Sequence, residues 1–165
     1  MKRIPNFWFV LAGLVIGIIL TIGIATWQMP QQVVGLMINE SPSPHDMATT
    51  LARIEKNAKE MGWQVAKTYD FRESTRKHIG KDVGPMKVME MCQPGYATRM
   101  LSKDPNKRLA VMMPCAIAVY DKADGKTYVA SMNMELMSQV FPGDVGEVLG
   151  AVARDDARIL GFAHP

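Results

Sequence analysis

Two cysteines and a crowd of methionines carry most of the chemical potential of this chain. Cys92 falls in Met91-Cys92-Gln93-Pro94, where an apolar run gives way to a proline-led helical stretch. Amide donors at such a helix N-terminus lower a thiol's pKa and favour an accessible thiolate. Cys115 follows Pro114 inside an apolar run, where burial raises the pKa and leaves the thiol inert. Three uses of the pair stand side by side. They can be buried small hydrophobes. They can form a structural or redox-active disulfide, provided their Cα atoms come within roughly 7 Å. Or Cys92 can ligate a soft species, haem, Cu(I) or a sulfur compound, with Met or His partners.

Methionine occurs 14 times, most of it between Met86 and Met137. Met112 and Met113 precede Cys115, while Met132, Met134 and Met137 cluster at the junction of a strand and a helix. No histidine stands near these sulfurs, which favours adaptable core filling over copper. His45 lies at a helix start, His78 lies among bases and His164 lies in the terminal tail. The chain has no HExxH, no CxxCH, no glycine-rich phosphate loop and no GxSxG. Ser102, Ser131 and Ser138 have no evident base partner, so no catalytic residue is assigned, and the expected metal stays undefined.

Strands and helices must place those sulfurs. Gln32 to Ile38 is apolar and rich in β-branched residues, and reads as a first strand. Met47, Leu51, Ile54, Ala58 and Met61 follow helical spacing, with Asp46 or His45 at the start and Gly62 past the end. Trp63 to Phe71 alternates as a half-buried strand does, and Met86 to Met91 forms another that delivers Cys92. The bases Arg72, Arg76, Lys77, His78 and Lys81 between them, diluted by Glu73 and Asp82, read as a solvated strand end and loop. Gln93 to Ser102 predicts a short helix with Pro94 in its first turn. Leu109 to Tyr120 and Lys126 to Met132 flank an Asp124-Gly125 hairpin signal, and Pro114 demands a bulge or an edge position. A last helix begins near Pro142 or Asp144 and carries Val145, Val148, Leu149, Val152, Ile159 and Leu160. The order β-α-β-β-α-β-β-α predicts an α+β domain whose helices cover one face of a largely antiparallel sheet.

Ahead of this domain, Phe7 to Trp27 runs for 21 residues without a charge, between Trp8 and Trp27 and behind Lys2 and Arg3. A helix of that length rises about 30 Å, the hydrocarbon thickness of a bilayer. The expected layout is a cytoplasmic leader (1–6), a transmembrane helix (7–27), a short link (28–31) beginning its break at Pro30, an α+β domain (32–161) and a tail (162–165). The two leading bases keep the N-terminus in the cytoplasm and send the domain to the periplasm of a bacterium. A cleaved signal peptide is the competing reading, against which the length of the apolar run argues. Gly13, Gly17, Thr21 and Ala25 recur every fourth residue, a small-residue ridge that lets another helix approach.

The formal net charge of the chain is +3. Without Lys2 and Arg3 the remainder holds 17 bases against 16 acids, which gives no footprint for nucleic acid. Two cysteines are too few for a disulfide scaffold, so a hydrophobic core must hold the domain.

Met91-Cys92-Gln93-Pro94-Gly95-Tyr96-Ala97, followed by Leu101-Ser102-Lys103-Asp104 and then Val111-Met112-Met113-Pro114-Cys115-Ala116-Ile117-Ala118-Val119-Tyr120, resembles the domain of unknown function 302 family. The resemblance rests on a Cys-x-Pro segment opening a helix, with Pro94, and a Pro-Cys strand, with Pro114. It spans roughly Gln32 to Leu160. It implies a compact α+β fold, often dimeric and mostly bacterial or archaeal, and no established reaction. The anchor and the methionine load are additions to that pattern.

The sequence thus predicts a membrane-anchored binding or accessory protein rather than an enzyme, serving a membrane electron-transfer or sulfur-handling complex. Its expected partners are membrane lipid and either a membrane protein complex or a second copy. No cofactor is expected by default. The alternatives are a carrier of haem, Cu(I) or a sulfur species through Cys92, and a thiol-disulfide protein using Cys92 and Cys115.

Overall fold

The computed structural model describes residues 6–163, and for residues 6, 7 and 22–32 the backbone alone. Lys2, Arg3, His164 and the side chains of Ala25, Trp27 and Pro30 lie outside the described set. The chain divides into two units, Met1–Leu36 and Met37–Pro165.

The first unit belongs to helix α1, Asn6–Met37. Its described side chains from Trp8 to Thr21 are all exposed. Thr21 Oγ1 donates to the Gly17 carbonyl at 2.8 Å, and a Cβ placed on Gly13 or Gly17 would meet nothing. Among the described residues no helix is long and apolar enough to cross a membrane. The helix does not stop at Pro30. It continues through the stretch expected as a short link and then as a strand, so the expected break at 28–31 is absent. The reason is local. A short apolar run has no period that separates strand from helix, and extending an existing helix avoids the cost of nucleating a new element.

The second unit begins with strand β1, Ile38–Pro42. Then come α2 (Met47–Glu60), β2 (Gln64–Asp70), α3 (Phe71–Ile79), β3 (Met86–Cys92) and α4 (Pro94–Leu101). A 3-10 run (Asp104–Met112) leads into β4 (Cys115–Asp121) and β5 (Thr127–Met132), followed by α5 (Met134–Val140) and α6 (Gly143–Ile159). The five strands form one antiparallel sheet in the order β1-β5-β4-β3-β2. This is the α+β architecture with an antiparallel sheet that the pattern predicted.

Asp46 caps α2 by accepting from the Thr49 amide at 2.7 Å, leaving His45 to pack its ring 6.0 Å from that of Phe162. Apolar spacing then turns Ile54 and Ala58 inward, both fully buried. Helix α6 repeats the device with Val148, Leu149, Val152 and Ile159. These side chains cover one face of the sheet, where Met89, Met91, Ile117, Val119 and Val129 are buried at alternate positions. The other face carries Val88, Glu90, Ala116, Ala118, Tyr120, Tyr128, Ala130 and Met132, none of them buried.

Two helices go beyond the sequence pattern. The basic segment after β2 is helix α3 rather than a strand end and loop. Asp70 accepts from the Glu73 amide at 2.9 Å, and Gly80 closes the helix at φ +65°. Helix α5 starts where Asn133 accepts from the Leu136 amide at 3.0 Å. Pro114 makes neither a bulge nor an edge. It follows a cis peptide after Met113 and stands just before β4, so Leu109 to Met112 is 3-10 helix and the strand starts at Cys115.

Candidate binding cavity and the two cysteines

Cys92 ends β3, opposite Gln64 of β2. Cys115 starts β4, opposite Met91 of β3. Opposed residues of an antiparallel pair share a face, so Cys115 points with Met91 toward the core. Cys92, one residue on, belongs to the other side of the pleat. The two stand on adjacent strands, one residue out of step in the β3–β4 ladder. Both cysteines are free and half-buried. Burial, then the charges of Asp156 and Cys92, pushes the Cys115 thiol up to about 12.

An apolar cavity of about 380 Å³ lies at the end of the sheet where β1 begins, β5 ends and β4 starts. Val88, Ala116, Ala118 and Ala130 floor it from the uncovered face. Val111, Met112, Pro114 and Cys115 wall it from the segment entering β4, while Ile38, Met132 and Met134 close the far side. Cys115 lines this cavity and Cys92 does not. Of the methionines singled out by sequence, Met112, Met132 and Met134 are brought to it. Met113 and Met137 pack on the core, and Met134, 6% exposed, is itself part of it.

A polar network lies on the helix-covered side. Asp155, 9% exposed, accepts from Trp63 Nε1 at 3.0 Å and from the Tyr96 hydroxyl at 3.1 Å. It therefore ties α6 to the start of β2 and to α4. Burial raises the Tyr96 phenol above its ordinary value, aided by its bond to Asp155. Next along α6, Asp156 keeps Oδ1 buried without a hydrogen-bond partner. Burial, with Asp155 adding repulsion, pushes its carboxyl up to about 7. Neither aspartate was a sequence candidate. A signal existed, because Asp155 stands three residues after Val152 and four before Ile159, on the apolar stripe of α6.

The outer polar clusters are exposed. Asp82 accepts from Arg72 Nε at 3.0 Å and from Arg76, and those donors with the Gly84 amide hold its carboxyl down at about 2. At the hairpin end, Glu40 accepts from Lys122 at 2.6 Å and from the Tyr120 hydroxyl. Lys122 also lies 4.0 Å from the centre of the Tyr128 ring. Among the described residues no group of three or more His, Cys, Asp or Glu could hold a metal ion.

The family profile described as "Domain of unknown function DUF302" matches residues 39–161, all within the second unit and well over half of the chain. The chain belongs to the DUF302 family. A solved DUF302 structure, the uncharacterized conserved protein from Bacillus stearothermophilus, superimposes with a TM-score of 0.68 at 21% identity. The match covers 78% of this chain and 99% of that one. At that identity the likeness shows the shared fold. No curated protein matches the chain at a significant level. The DUF302 match begins at Asn39 and leaves α1 outside it.

Proposed function

We propose that this DUF302 protein is a membrane-anchored, periplasm-facing binding or accessory protein that serves a membrane electron-transfer or sulfur-handling complex. The carrying observation is the uncovered sheet face, where small and apolar residues, Val88, Ala116, Ala118, Ala130 and Met132, form the floor and rim of an open cavity. A surface of that kind suits recognition of an apolar partner or ligand.

Support for the anchor comes from sequence and α1 together. The described apolar side chains, Trp8 to Thr21, rise only about 20 Å at 1.5 Å per residue, short of a bilayer. The uncharged run itself continues to Trp27, and the backbone stays helical beyond it. Lys2 and Arg3 orient the domain outward.

Extraction of the native membrane with a mild detergent tests the accessory role. The complex subunit that this domain serves is expected to co-purify in stoichiometric amount and to be identified by mass spectrometry. A monodisperse lone monomer would count against the role.

A further inference from the structure

The uncovered face of the sheet is divided along its strands. At the hairpin end it is polar: Glu40 accepts from Lys122 and from the Tyr120 hydroxyl, and Asp124 accepts from the Tyr128 hydroxyl at 2.8 Å. At the other end, where β1 begins, it is apolar. Ile38 stands opposite Met132, and these two line the cavity together with Val111, Pro114 and Ala116. All five are exposed, Val111 at 89%. A contiguous exposed apolar rim of this kind marks a contact surface.

Two observations identify what it meets. Val111 belongs to the 3-10 run Asp104–Met112, which also carries Lys107 and Arg108. Asp104 pairs with Lys107 at 2.6 Å, while Arg108 makes no ion pair among the described residues. An apolar tip beside an unpaired base suits a lipid surface, with carbon toward the acyl chains and the cation toward headgroup phosphate. The second observation is where the chain enters. No charged residue occurs between Arg3 and Glu40, and only ten residues separate Trp27, the end of the proposed span, from Ile38 at this rim. So short a tether keeps the rim close to the membrane.

We propose that this rim is a second membrane contact, through which the domain itself rests on the bilayer, with Val111 set into the boundary between headgroups and acyl chains and Arg108 on the phosphates. The inference rests on the membrane-anchored reading above and names lipid as what this end of the uncovered face meets. The hairpin end then points away from the membrane, because β4 and β5 run from one end of the sheet to the other.

The test is fluorescence quenching in the full-length chain, reconstituted into vesicles of phosphatidylcholine and phosphatidylglycerol. A nitrobenzoxadiazole fluorophore is attached at Val111→Cys or, at the hairpin end, at Ala123→Cys, and the parent chain taken through the same labelling is subtracted to remove the native thiols. Lipid with a nitroxide on its acyl chain is expected to quench position 111 at least twofold more than position 123, and iodide in the buffer to do the reverse. Arg108→Glu is expected to reduce the lipid quenching at 111 about twofold. Circular dichroism establishes that each variant is folded, and Met132→Cys carries the test if Val111→Cys is not. Flotation separates the failures. A chain that does not float with the vesicles overturns the anchor and this contact together. A chain that floats with position 111 open to iodide and untouched by the nitroxide lipid overturns this contact alone. So does shielding from iodide without lipid quenching, which would show that a protein or a second copy covers the rim.

Discussion

Asp156 is the residue whose environment most sharply predicts behaviour. Its folded carboxyl titrates at about 7 against an ordinary 3.8, so between those values the folded chain holds a proton that the unfolded chain has released. Stability is then fully present below about pH 4, declines as pH rises toward 7, and changes no further above that. Asp156→Asn removes this slope. The variant is expected to match the parent near pH 4 and to exceed it at pH 8 by on the order of 2–4 kcal/mol. Denaturation midpoints at the two pH values check this, and equal slopes in both proteins would refute it. At this scale sequence was a partial guide. Cys92 and Cys115 stand out in the sequence, but their division between two faces of the pleat depends on register, which single residues do not encode. The aspartates hid because a charged residue on an apolar stripe reads as noise until its partners, here Trp63 and Tyr96, arrive from distant segments.

At the scale of elements, periodicity was legible where a segment has one covered face. Helix α2, strands β2 and β3, the β4–β5 hairpin and α6 all follow from the spacing of their apolar residues. Helix α3 did not, because it buries no residue and so has no apolar stripe to reveal it. Its readable sign was the Asp70-x-x-Glu73 start and the Gly80 stop. That makes α3 unusually dependent on its cap. Asp70→Ala is expected to cost about 1 kcal/mol, with part of the loss from its contact with Lys87 at 3.4 Å. Asp70→Asn, which keeps an accepting oxygen, is expected to retain most of that stability. Urea titration of the two variants separates the cap from the charge. Pro114 departs from the strand pattern for a related reason. Its apolar neighbours extend the β pattern upstream, yet the backbone there is 3-10 helix, and the strand begins only after the proline.

For the whole molecule, an α+β module of the DUF302 family is joined to a long N-terminal helix that the family match does not include. The fold class came through because strand and helix patterns alternate clearly along the module. The junction did not, since residues 32–37 have the composition of a strand while continuing a helix. We propose that the N-terminal segment fixes this domain to a bilayer, and alkaline carbonate extraction of membranes from cells making the full-length chain tests it directly. The account predicts that the protein stays in the membrane pellet, and that removing residues 1–27 releases it. Full-length protein that appears in the carbonate supernatant would contradict it.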